Sequence, residues 1–132
     1  MNYVISIITT LILSGIIGWE REKTHKAAGM RTICFVALSA CLSVIFTREL
    51  GIISGASFDA LRLVSYLIAA LGFVGSGCIT KDAGGVHGLT TASMLLPVAF
   101  IGFFCGIEKF FLAWVTTIVT YLCLIASYIT KD

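Results

Sequence analysis

Apolar residues along this chain come in five long runs, Tyr3 to Trp19, Ala27 to Phe46, Arg62 to Ile79, Thr91 to Ile107 and Leu112 to Ile129, with the polar residues gathered in short clusters between them. A helix rises 1.5 Å per residue, so about 20 residues cross the ~30 Å of hydrocarbon in a bilayer. Each run therefore predicts a membrane-crossing helix. Five crossings put the two termini on opposite sides. The fold class that follows is all-α: a polytopic membrane helix bundle of about five transmembrane helices. It forms one domain over residues 1–132, with no linker and no low-complexity stretch.

Composition agrees with the pattern. Hydrophobic residues make up 58% of the 132 residues, charged residues 12%, and the mean hydropathy is +1.03; soluble domains average roughly 25% charged. A formal charge of +2 with no basic, aromatic-interleaved surface stretch excludes a nucleic-acid partner and leaves the lipid bilayer as the expected environment. The first run lacks a basic leader and a small-residue cleavage site, and it continues into further spans, so it reads as a retained helix and not a secretory signal. Cys34, Cys41, Cys78, Cys105 and Cys123 all lie in apolar stretches with no Cys-x-x-Cys pair, which suggests neither zinc nor a disulfide framework.

Charge is concentrated. Six of the sixteen Lys, Arg, Asp and Glu residues fall between Glu20 and Arg31, in Glu20-Arg21-Glu22-Lys23-Thr24-His25-Lys26-Ala27-Ala28-Gly29-Met30-Arg31. A charge in hydrocarbon costs about 2.5 to 3.5 kcal/mol even on the lenient insertion scale. The patch must face water, headgroups or its own counter-charges. Placing it in the cytoplasm puts Arg21, Lys23, Lys26, Arg31, Lys81 and Lys131 inside, against Arg48, Arg62 and Lys109 outside, which sets the N-terminus outside and the C-terminus in the cytoplasm. Tyr3, Trp19, Trp114 and Tyr128 sit near helix ends, as an aromatic belt requires; Tyr121 does not. The stretch Thr47 to Leu61 reads as an outer loop with a short surface helix and a cap at Asp59. The uncharged part of the second run, Thr32 to Phe46, reaches only about 22 Å. Arg31 is thereby drawn toward the bilayer, either snorkelling to headgroups or pairing with Glu20 or Glu22.

The second concentration of signal runs from Gly72 to Thr91. Gly72, Gly75, Gly77 and Gly88 suit close helix packing, and Gly84, Gly85 and Gly88 also expose backbone in a cytoplasmic turn. A sharper reading makes Thr90 and Thr91 caps of the fourth helix, beside Lys81, where free amides favour an anion or a headgroup. Pro97 is expected to kink that helix and free the Ser93 carbonyl, so that Ser93 becomes a candidate pore-lining position. His25 and His87 read as solvent-exposed loop residues, with pH sensing or ligand contact as the alternative. No nucleophilic triad can be assembled and every carboxylate flanks a span, so no enzymatic activity and no cofactor are expected. A magnesium ion is usually held through carboxylates; none sits mid-span. A metal site is left unassigned, and a hydrated-cation route would need Glu20, Glu22 or Asp82 gathered at the cytoplasmic mouth from several subunits.

Gly18-Trp-Glu20-Arg21-Glu22 followed by Lys26-Ala27-Ala28-Gly29-Met30-Arg31-Thr32 resembles the first signature of the MgtC/SapB family of bacterial inner-membrane proteins. Ala70-Leu71-Gly72-Phe73-Val74-Gly75-Ser76-Gly77, then Gly88-Leu89-Thr90-Thr91-Ala92, resembles the second, and Gly102 and Gly106 extend the likeness. Ile33 departs from the pattern, where a polar residue is common, as does Leu96-Pro97, where a tryptophan is frequent. The resemblance implies a hydrophobic domain of about five helices, here in a short form or a truncated piece of a longer one. Members are associated with adaptation to low magnesium and with virulence. Two functions follow as expectations: an oligomeric, magnesium-linked ion transporter or channel-like module, or a non-transporting regulator. The regulator would bind another membrane protein through small-residue faces such as Gly102-x-x-x-Gly106. The polar site is expected to comprise Glu20, Arg21, Glu22, Lys26, Arg31, Thr32, Thr90 and Thr91.

Overall fold

The computed structural model describes residues 2–55 and 59–129. The chain runs α1 (Tyr3–Lys23), α2 (Met30–Ser54), α3 (Ala60–Ser76), β1 (Thr80–Asp82), β2 (Gly85–His87), α4 (Leu89–Gly106) and α5 (Phe110–Ile129). The five helices form a membrane bundle: α1, α2 and α4 are each long and apolar enough to cross a bilayer, and α3 and α5 give shorter apolar helices. Helix direction alternates, so the α1–α2 connection, the hairpin and the end of α5 gather at one end, here called the hairpin end.

α4 is the centre. It buries Met94, Leu95, Val98, Ala99, Ile101, Phe103 and Cys105, and it packs on all four other helices. α2 meets it with Ile33, Ala37, Ala40, Cys41 and Val44, one face at helical spacing, while α1 brings Leu13 and Ile17. The outward faces, with Val4, Ile8 and Ile12 on α1 and Phe111, Ile118 and Leu122 on α5, are apolar as well. Lipid and side chain are then equally apolar, and helices are held by close fit instead of water exclusion. The fit is tightest between α2 and α4. A Cβ at Gly102 would land on the Ala37 carbonyl, and one at Gly106 would lie 2.8 Å from Val44 Cβ. Gly18 of α1 comes close to Gly106 in this respect, 2.9 Å from Met30 Cα, and Gly75 of α3 meets Ala92 at 3.5 Å.

Gly72 departs from the expected packing role, since nothing lies within 4 Å of a Cβ built there; Gly77 meets only the Val74 carbonyl of its own helix end, at 3.3 Å. The Gly102 and Gly106 face, expected to be free for a partner, is covered by α2.

The stretch expected as an outer loop from Thr47 is instead helical to Ser54, where α2 ends on left-handed Gly55; residues 56–58 of it lie outside the described residues. α2 thus has 25 residues, about 37 Å, although the uncharged part of its apolar run is still Thr32 to Phe46. Arg31 is exposed. α4 runs unbroken through Pro97, and Ser93 turns its hydroxyl back to the Leu89 carbonyl at 2.9 Å. Ser93 lines a laterally placed cleft of about 320 Å³ between α3 and α4, with Gly72 and Ser76, and not a channel through the bundle.

Helix ends follow local chemistry. α1 and α4 both close with paired bonds from two residues beyond the helix, Lys26 N–H to the Arg21 carbonyl and Lys109 N–H to the Phe104 carbonyl, around left-handed His25 and Glu108. Asp59 caps α3, accepting from the Arg62 amide at 3.0 Å. Asp59→Ala is expected to lower the unfolding free energy by about 1 kcal/mol, read from unfolding in detergent micelles; no change would mean that α3 is fixed by packing alone.

Candidate functional site

Arg21 shows how the sequence builds the site. It lies eight residues after Leu13 and four after Ile17, so the helical period carries it onto the buried face of α1 at its last turn, 2% exposed. A guanidinium there needs a counter-charge. Glu20 supplies it, with Oε2 3.1 Å from Arg21 Nε, and the other carboxylate oxygen accepts from the Tyr128 hydroxyl at 2.6 Å. Tyr128 thus ties the end of α5 to the end of α1. Arg21 Nε and Glu20 Oε2 are both fully buried and face each other outside hydrogen-bond geometry, with no other partner for either.

The loop after Arg21 is shaped by Glu22. Its Oε2 accepts from the Met30 amide at 2.8 Å, which satisfies a free donor at the start of α2, and a Cβ at Gly29 would fall onto that carboxylate. Gly29 is there because the carboxylate is. Among the described residues Arg31 makes no ion pair with Glu20 or Glu22. Losses from Glu22→Ala, about 1 kcal/mol for a lost cap, and from Arg31→Ala should therefore add in a double-mutant cycle. A coupling above about 0.5 kcal/mol would restore the pair.

The hairpin, which the glycine pattern indicated only as a turn, comes from Asp82-Ala83-Gly84-Gly85. Thr80 pairs with His87 and Asp82 with Gly85, leaving a two-residue loop in which Asp82 Oδ1 accepts from the Gly84 amide at 2.8 Å. Gly85 has φ 129° and Gly88 φ 85°, and a Cβ at Gly88 would strike the Cys78 carbonyl. Only glycine allows the chain to turn there into α4.

These two segments enclose a polar cavity of about 580 Å³ at the hairpin end. Its walls are Arg21 from the last turn of α1, His25, Lys26 and Ala27 from the connection that follows, Gly77, Cys78, Thr80, Val86, His87 and Gly88 from the hairpin region, and Leu89, Thr90 and Thr91 from α4. The structure thus brings Arg21, Lys26, Thr90 and Thr91 together. It adds His25 and His87, each expected to stand alone in its loop. It leaves Thr32 elsewhere, in a lateral groove with Phe35 and Leu67, and Arg31, Glu20 and Glu22 outside the lining.

Thr90 and Thr91 are not caps. The N-cap is Gly88, which has no side chain to offer, so both threonines belong to the first turn of α4, with Thr91 buried. No acidic residue stands in that turn. The cavity wall carries Arg21, Lys26 and the two imidazoles and no carboxylate; the nearest counter-charges are Glu20 on Arg21 and Asp82, whose Oδ1 is 3.3 Å from His87 Nε2. Among the described residues no group of three His, Cys, Asp or Glu is placed to hold a metal ion.

The model of the MgtC family matches residues 7–131. The chain is 38% identical over 95 residues to "Protein MgtC" of Brucella abortus (strain 2308), covering 72% of this chain and 38% of that protein. It is 30% identical over 117 residues to "Protein MgtC" of Salmonella typhimurium (strain LT2), covering 89% of this chain and 48% of that one. The chain thus spans less than half the length of these relatives. No solved structure matches it. The family match over nearly all of the chain and the apolar five-helix bundle agree that this is a membrane protein belonging to the MgtC family.

Proposed function

We propose that this chain is a non-conducting regulatory module of the bacterial inner membrane, with its basic cavity opening to the cytoplasm. One observation carries the reading: the cavity lining reaches along α4 to Thr91 and no further. Beyond it the bundle is filled by Leu13, Ile17, Leu95 and Val98, and the α2–α4 contact at Gly102 is too close to admit even a methyl group. Buried hydroxyls inside the bundle are occupied, Thr10 with the Ser6 carbonyl and Ser14 with the Thr10 carbonyl, both at 2.7 Å. A hydrated divalent cation needs oxygen ligands and a wet route. The site is cationic and the interior is dry, which disfavours magnesium on both counts. The excess of Lys and Arg in the two connections at the hairpin end supports the cytoplasmic assignment.

A second reading keeps ion transport, in an oligomer. The observation favouring it is the α3–α4 cleft, where Gly72 is uncovered and Ser93 and Ser76 face out. A second copy seated there would line a path between chains. Flux in proteoliposomes separates the two. Magnesium, potassium and proton fluxes are expected to equal those of empty vesicles; a flux above that level which Gly72→Leu removes would replace the regulatory reading with the oligomeric one.

A further inference from the structure

We infer that the cavity at the hairpin end is a binding site for a phosphate-type anion, either inorganic phosphate or the phosphate of a lipid headgroup. This names the ligand of the site invoked above, but it does not depend on the module being non-conducting, because binding and flux are measured separately.

Three independent features converge on one volume. α4 begins at that cavity with its first three residues, Leu89, Thr90 and Thr91, all in the lining, behind a glycine that provides no side-chain cap. The first-turn amides of a helix have no partner within it, and the positive end of the helix dipole favours an anion. The starts of α2 and α3 have side-chain acceptors in Glu22 and Asp59; the starts of α1 and α4 have none, and only that of α4 opens into this cavity. The second feature is Arg21. It is 2% exposed and lines the same cavity, and its Nε meets Glu20 Oε2 at 3.1 Å in a buried ion pair in which neither atom has a further partner. It places a buried cationic group in the cavity wall, from which a tetrahedral oxyanion would take charge-assisted bonds. The third feature is the rim, where Lys26, His25 and His87 stand exposed around the mouth and no carboxylate joins them in the lining. Asp82, whose Oδ1 is 3.3 Å from His87 Nε2, is not part of the lining.

A phosphate fits this set better than a carboxylate or a halide. Its oxygens point in several directions at once, so one group can take the α4 amides, Arg21 and Lys26 together. The site's volume of about 580 Å³ exceeds what a free anion fills. That leaves room for a glycerol-phosphate headgroup to enter from the bilayer side as readily as for free phosphate with water.

The experiment uses the full chain in nanodiscs of two compositions, pure phosphatidylcholine and phosphatidylcholine with phosphatidylglycerol. Thermal unfolding is followed by the fluorescence of Trp19 and Trp114, with inorganic phosphate titrated against chloride at equal ionic strength. Saturable stabilisation by phosphate but not chloride, in phosphatidylcholine, supports the site with a free anion as ligand. Stabilisation by phosphatidylglycerol that removes the response to added phosphate supports it with a headgroup as ligand. Equal responses to phosphate and chloride with no effect of phosphatidylglycerol overturn the proposal. Arg21→Gln tests the anchor but risks the fold, so Lys26→Glu on the exposed rim is the second variant. It should keep the unliganded unfolding temperature and weaken the apparent affinity about tenfold, the scale of one charge-assisted contact; an affinity unchanged by Lys26→Glu would contradict the assignment.

Discussion

Gly102→Ala is expected to destabilise the protein by about 3 kcal/mol or more, the upper range for overpacking, although it adds a single methyl group. The added carbon would meet the Ala37 carbonyl of α2, and the backbone cannot rotate away as a side chain could. Either α2 and α4 separate along their length or the helices tilt, and both lose the contacts that hold this bundle together. Gly72→Ala is the matched control. Nothing stands within 4 Å of its added carbon, so the higher helix propensity of alanine should dominate and stabilise by about 0.5–1 kcal/mol. The comparison is made by reversible unfolding in mixed micelles. Equal effects at the two positions would show that glycine content, and not the α2–α4 contact, sets stability.

Glu20→Gln is expected to cost about 3 kcal/mol, because it leaves the Arg21 guanidinium buried with no counter-charge, and breaking a buried pair from one side typically costs 3–5 kcal/mol. The substitution keeps the size of the side chain and its ability to accept from Tyr128, so the loss isolates the charge. Tyr128→Phe should cost less, about 1 kcal/mol for one hydrogen bond at an exposed position. Replacing both members of the pair, Glu20→Leu with Arg21→Met, should recover much of the loss in stability while abolishing any anion binding at the cavity. A Glu20→Gln protein within about 0.5 kcal/mol of the parent would mean that water reaches Arg21 and the pair is solvated.

The number and order of the helices were legible because each apolar run is long and is bounded by charge or glycine. The ends were less so. The end of the second run at Phe46 was marked by Thr47, Arg48 and Glu49, yet those residues continue α2, and Glu49 takes the Tyr3 hydroxyl at the start of α1. Polar residues ended the hydrophobic pattern without ending the helix, as happens when a helix projects beyond the hydrocarbon. The polar site was legible as two charged or glycine-rich patches on one side. Its internal arrangement was not, because proximity in sequence misled twice. Glu22 and Arg31 looked like partners, but Glu22 caps a backbone amide across Gly29. The two threonines looked like caps, but a glycine holds that position. His25 and His87, sixty-two positions apart, share a cavity that only the folded chain creates. The one available signal for Arg21 was its helical spacing from Leu13 and Ile17, which places a charge on the buried face.

The cavity's being open at one end and closed toward the opposite side is the claim on which the rest depends, and native Cys78 in its wall reports on it. The deciding measurement is the reaction of Cys78 with a membrane-impermeant thiol reagent in oriented vesicles, with the modified peptide identified by mass spectrometry. Modification from the cytoplasmic face alone is expected; modification of Cys78 from both faces of intact vesicles would reveal a continuous aqueous path and a cavity that is not closed.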